Sequence, residues 1–231
     1  MLALGILPVV LDPLAPASPA AAFKAVATAA QTYLKEMEAG IAAGVLPNRG
    51  ALMTRVRGTG PGVSFGSVVA ALQSAVVGWI CPFEGCMTAR GSVLRGADLV
   101  DPERDDAFLL LRFAPHTLDL PLHTHEDSDR FICAIDGRGF FHVSPDPLEA
   151  GPSRRLHHAA VRDRDALMFR RGTVHTFSTA EHPLTLLSYH SPYISLADER
   201  QYTLPSAVEH PAEFLRGRHS RVSFDPAWSV L

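Results

Sequence analysis

Hydrophobic residues along the chain keep two different periods, one in each half. From Ser18 onward they recur at Phe23, Val26, Ala30, Leu34, Met37 and Ile41. Steps of three and four put them on one stripe of a helix of about six turns. Ser18 followed by Pro19 reads as an N-cap with proline in the first helical position. Gly44, Pro47 and Asn48 end the segment. Residues 50 to 65 are rich in Gly and Arg and read as a loop. Val68 to Ile80 is an apolar run without a deciding period, tilted towards helix by Ala70, Ala71, Leu72 and Gln73.

From Asp106 the pattern turns to short runs. Phe108 to Phe113, Leu118 to His125, Phe131 to Ile135 and Gly139 to Val143 come first; His158 to Val161, Ala166 to Phe169, Val174 to Phe177 and Leu184 to Tyr189 follow. Gly, Pro and Asp punctuate them, which is the signature of an antiparallel sandwich or barrel. Ile135-Asp-Gly-Arg-Gly139 reads as a glycine hairpin between two of these strands, and Pro145 to Arg155 as a longer polar loop. The expected organisation is an N-terminal arm and helix over 1–60, a mainly β barrel over 61–200 and a C-terminal extension over 201–231.

Composition narrows the function classes. The 231 residues carry a net charge of −3 with both signs mixed, so no basic face for nucleic acid or an anionic membrane is expected. No apolar run reaches the length of a membrane span. Cys81, Cys86 and Cys133 form neither a disulfide framework nor a zinc knuckle, which fits a reduced cytoplasmic setting, and Cys133 reads as a small core residue. Leu2 to Leu11 is apolar, but it lacks a basic leader and is broken by Pro8. It reads as an arm packed on the barrel or on a second subunit.

The chemistry gathers in the β half. All 11 histidines lie between His116 and His219. His123 and His125 are two apart on an expected strand, so both rings leave the same face, with backbones roughly 6.6 Å apart. Two imidazoles so placed can meet on one ion at about 2.1 Å. By chance alone a chain of this composition holds roughly 0.5 such pairs, so the context has to carry the reading. That context is Asp165-Ala-Leu-Met-Phe-Arg-Arg-Gly-Thr-Val-His175, a strand, a glycine turn and a histidine opening the next strand.

The stretch His123-Thr-His-Glu-Asp-Ser-Asp-Arg-Phe-Ile-Cys-Ala-Ile-Asp-Gly137 resembles the first motif of the cupin superfamily, and Asp163 to Phe177 resembles the second. Ser188-Tyr-His-Ser-Pro-Tyr193 is similar to the way small cupins leave the barrel. The resemblance covers roughly residues 105–195. It implies a jelly-roll barrel holding one divalent metal ion (Fe, Mn, Ni or Zn), with His123, His125 and His175 in the three histidine places. The family's fourth ligand is a glutamate, and in that place stands Arg130. The proline of the second motif is also missing, near Arg170 and Arg171.

Three arrangements follow from Arg130. Asp129 serves instead, if a bulge shifts the register by one. Glu126 or Asp127 reaches in from the turn. Or the site is three-histidine, and Arg130 binds an anionic substrate bidentately. Candidate acid–base groups are Glu126, Asp129, Tyr189 and His190. His142, His157 and His158 read as hydrogen-bonded polar residues, and Arg162, Arg164, Arg170 and Arg171 as a solvated face. The leading expectation is a metal-dependent enzyme, of oxygenase or isomerase/lyase type, acting on a small polar molecule in the barrel. The rivals are a small-molecule sensor or storage module without catalysis, and a partner-binding protein in which the histidines are incidental. The apolar stripe and the resemblance together suggest a homodimer.

Overall fold

A computed structural model describes residues 18–46, 50–55 and 65–216. The expected apolar arm, Pro47, Asn48, Arg57 and the chain beyond residue 216 lie outside the described residues.

Helix α1 spans Pro19–Ala42, and the side chain of Ser18 accepts a hydrogen bond from the Ala21 N–H at 3.3 Å. It is followed by β1 (Ala51–Arg55), α2 (Phe65–Ser74), β2 (Ala89–Arg95) and the single turn α3 (Gly96–Leu99). Then come β3 (Ala107–Phe113), β4 (Asp129–Ser144), β5 (His157–Arg162), β6 (Asp165–Phe169), β7 (Val174–Ser178), β8 (Leu184–Ser191) and a short α4 (Pro211–Arg216). All strand pairs are antiparallel, and the larger sheet runs β1-β6-β4-β8-β3-β2.

The long strand β4 joins two sheets. Its first half pairs with β6 and β8, and its second half with β5 and β7. The register against β8 slips between Ala134 and Asp136. Gly137 follows with φ 81°, and a Cβ there would lie 2.0 Å from the Pro183 carbonyl oxygen. Only glycine fits. The expected hairpin over 135–139 is therefore replaced by a bulged, continuous strand: the glycine bends β4 from one sheet into the other. The two sheets close on a shared interior, where Phe141 packs 5.6 Å from Phe169 and 5.0 Å from Phe177 between ring centroids. The result is a jelly-roll barrel.

Two strands precede Asp106, where the β pattern was expected to begin, although the second lies within the expected barrel range of 61–200. Ala51–Arg55 had the look of arm and loop, yet it is an edge strand paired residue by residue with β6. Ala89–Arg95 pairs with β3, well before residue 105. Both are short and broken by polar residues, so period alone could not separate them from loop.

Alternation along the larger sheet divides its side chains. Phe131, Cys133, Leu187 and Tyr189 face α1, whereas Ile132, Ala134, Leu167, Phe169 and Leu186 face the barrel interior. The stripe of α1 lies on that outer face: Phe23 meets Phe108 edge-on at 4.9 Å, and Tyr33 stacks on Phe131 at 5.7 Å. The barrel's own sheet covers the stripe, which removes it as a reason to expect a second copy. Among the described residues no helix is long and apolar enough to cross a membrane.

Because α1 shares its core with the sheet, Phe23→Ala should cost about 3–5 kcal/mol. Urea denaturation followed by circular dichroism should give one transition at a lower midpoint. A separate early loss of helix, with the barrel midpoint unchanged, would contradict the shared core.

Candidate metal centre

The backbone brings three histidines together before any side chain acts. His123 and His175 exchange main-chain hydrogen bonds in both directions, at 3.1 and 2.9 Å. The turn at Gly172, with φ 73°, sends its N–H to the carbonyl of His125 at 2.8 Å. Thr124 is paired on its other side with Thr203 at 3.0 and 2.8 Å. The segment is thus clamped between the β6–β7 turn and the chain beyond β8. His123 and His125 lie on the same side of it, as a two-residue spacing requires.

Ring centroids lie 4.9 Å apart for His123 and His125, 4.4 Å for His123 and His175, and 5.2 Å for His125 and His175. One ligand atom from each falls within 4.8 Å of the other two. Three nitrogens at about 2.1 Å from one ion stand roughly 3.0–3.6 Å from one another, so closing the set takes ring movements on the order of an ångström.

Each ring is held by its Nδ1. His123 bonds the carbonyl of Pro121 at 2.9 Å, His175 that of Thr173 at 2.8 Å, and His125 that of Gln201 at 2.5 Å. A carbonyl only accepts, so each Nδ1 carries the proton and each Nε2 keeps its lone pair. Burial pulls the pKa of His123 down to about 4, and the nearby Arg130 charge adds to this. Burial, with the charges of Arg130 and the other histidines, holds His125 and His175 well below the ordinary value. All three rings are neutral at pH 7, the state in which imidazole binds metal.

The other expected residues divide between the cavity and its surroundings. Arg130 and His190 face the interior, directly across the β4–β8 ladder from each other, and both are buried. The His190 Nε2 is 3.0 Å from Ser188 Oγ, its Nδ1 has no partner among the described residues, and its ring lies 6.1 Å from that of His125. The remaining acid–base candidates are not brought to the histidines. Tyr189 is one residue from His190 and so leaves the opposite face of β8; it donates to Asp106 at 2.6 Å and accepts from Gln31 at 2.8 Å. Asp129 receives the backbone N–H of Arg171 at 2.9 Å and pairs with its guanidinium at 3.3 Å. Glu126 is exposed and accepts from Thr124, and Asp127 is exposed too. His142 lies on the smaller sheet's part of β4, bonded to Ser178 at 2.7 Å and His158 at 2.6 Å.

Several cavity residues carry no sequence signal. Gln201 supplies its carbonyl from beyond β8, Phe83 lies 4.7 Å from the His123 ring, and Tyr202 lies 4.1 Å from Phe83 at an interplanar angle of 38°. Phe83 and the adjacent pair Gln201 and Tyr202 lie outside the strands and far from His123 and His125 in the chain, and nothing in spacing or composition could have joined them to the histidines.

The pH dependence of stability follows from the buried neutral rings. An unfolded histidine takes up its proton near pH 6.5, whereas folded His123 resists protonation down to about 4. Below about pH 6.5 the unfolded chain binds more protons, so stability present at neutral pH is lost as the pH falls. Metal-free protein should melt at progressively lower temperature from about pH 6.5 to pH 4, by on the order of 1 kcal/mol per pH unit for each such ring. Thermal melts that stay flat across this interval would contradict the neutral-ring assignment.

No protein-family model and no curated protein matches the chain. Among solved structures it is similar to an oxalate oxidase, at 15% identity over 49% of this chain and 55% of that one, with a TM-score of 0.38. It is similar to the 7S globulin of Momordica charantia, at 16% identity over 56% and 36%, TM-score 0.40. It also resembles the polyketide cyclase RemF from Streptomyces resistomycificus, at 16% identity over 62% and 89%, TM-score 0.41. The chain thus spans 55% of the oxalate oxidase and 36% of the globulin that it matches. At these scores the description of the fold rests on this chain's own strand order and pairing.

Proposed function

We propose that this chain, which has the cupin-type jelly-roll fold, holds one divalent metal ion on His123, His125 and His175 and acts as a metal-dependent enzyme on a small polar molecule inside the barrel. The observation that carries the reading is the set of three Nδ1–H···O=C bonds. They leave three lone pairs close together, two on buried rings and one on the half-buried His125, with no proton to share. Such a set suits a borderline cation such as Zn, Fe, Mn or Ni.

A divalent ion held there would supply Lewis-acid polarisation or, as iron, oxygen chemistry, at the positions three protein ligands leave free. The chain's own residues do the rest. Carbonyls of Pro121, Thr173 and Gln201 fix the rings, as outer hydrogen bonds do for metal-binding histidines generally. Phe83 and Tyr202 cover the His123 side and keep water off it. His190, which lines the cavity and whose Nδ1 has no partner among the described residues, is the group placed to hold or move a proton. In this reading Asp129 stays with Arg171, and the protein ligands number three.

A binding module without turnover is the second reading. It is favoured by the cavity lining, which among the described residues includes no carboxylate to serve as a base.

Elemental analysis of purified protein should find close to one divalent ion per chain. Chelation should lower stability, by about 2.7 kcal/mol where free metal had stood a hundredfold above its Kd. His123→Ala and His175→Ala should each lose the ion, and Asp129→Asn should keep it. Metal-free protein as purified, with melting unchanged by chelation or added metal, would end the metal reading; a tightly held small molecule that is never turned over would favour the binding module.

A further inference from the structure

Arg130 stands where a partly empty donor set is hardest to explain. Its side chain is 1% exposed. Nη1 is used: it donates to Ser128 Oγ and, at 3.2 Å, to the Asp129 carbonyl. Nε and Nη2 have no partner among the described residues. Those two nitrogens form one edge of the guanidinium, the edge that offers two parallel N–H groups to the two oxygens of a carboxylate. A buried cation keeps such an edge empty only at a cost in folding.

The surroundings say what would fill it. Among the described residues lining the cavity none is acidic, and the adjacent carboxylate of Asp129 is taken by Arg171. Among the described residues of that lining the guanidinium is the one group with a fixed charge. Burial lowers its pKa to about 9, which leaves it a cation at neutral pH. His190, across the ladder, adds a ring nitrogen, Nδ1, that has no partner among the described residues. Leu109, Leu111, Ile132 and Phe177 supply apolar wall, and the cavity measures about 50 Å³, room for only a few heavy atoms.

We propose that Arg130, with His190 beside it, receives the carboxylate of a small organic acid, whose short apolar part rests on those walls next to the histidine triad. This assigns the substrate class and rests on the cavity being the substrate site. The residue that replaces the usual fourth ligand becomes the anchor of the substrate. A carboxylate fits better than phosphate, because two free donors match its two oxygens, whereas the further oxygens of a phosphate would meet a largely apolar wall.

The test uses the full chain freed of metal and of chelator, so that it does not depend on the metal reading. Propionate, propanamide and inorganic phosphate are titrated separately at pH 7.5, by calorimetry and by the ¹⁵N-edited NMR signal of the Arg130 Nε–H. Propionate should bind once per chain and shift that signal, with propanamide and phosphate each at least about tenfold weaker. Arg130→Met should remove at least about tenfold of the propionate affinity while the protein still folds. Should the variant fail to fold, the wild-type comparison and the Nε–H shift decide alone. No saturable propionate binding, equal binding of propanamide or phosphate, an unmoved Arg130 signal, or unchanged affinity in a folded Arg130→Met protein would each overturn the assignment. Metal binding without propionate binding would sink this assignment only; propionate binding by a protein that takes up no divalent metal when offered it would sink only the metal reading.

Discussion

The site depends on a plain hydrogen bond made three times, from an imidazole Nδ1–H to a main-chain carbonyl. A buried imidazole has to place two nitrogens, and leaving either unpaired is costly. Giving one to a carbonyl fixes the tautomer and turns the other into a bare acceptor. For His123 and His175 the carbonyl belongs to the residue two places earlier, Pro121 and Thr173, so local backbone geometry does the work. For His125 it is Gln201, 76 residues away. Two of the rings are therefore fixed by their own strands, and the third only when the chain beyond β8 returns to the barrel.

The fold's task is to bring these segments to one end of a closed interior and to keep charge out of the rest. Strand β4 serves both sheets because Gly137 lets it bend where any side chain would strike Pro183. Ahead of that bend, strict alternation sends Phe131 and Cys133 to helix α1 and leaves Arg130 and Ile132 inside. The same rule on β8 sends Tyr189 outward to Asp106 and His190 inward. One residue of register separates a packing group from a group facing the site.

The legible part of this arrangement was what local spacing carries. The helix from Ser18, the antiparallel β half, the pairing of His123 with His125 and the glycine turn before His175 all depend on neighbours a few residues apart. Gly137 was legible as a special position, but a sequence does not distinguish a hairpin from a bulge, since both call for positive φ. The edge strands β1 and β2 escaped because their short, mixed patterns gain strand structure only from partners distant in sequence. The same holds for Phe83, Gln201 and Tyr202 at the site. Asp129 could be read either way: beside Arg130 it resembles a displaced ligand, and only Arg171, 42 residues on, shows where its carboxylate goes.

The central claim is most directly tested by long-range ¹H–¹⁵N NMR of the imidazole rings in metal-free protein at neutral pH. The account predicts neutral rings for His123, His125 and His175, each with its proton on Nδ1, and on metal addition a shift of Nε2 in all three together. Rings protonated on Nε2, rings carrying both protons, or a metal response confined to one of them would contradict it.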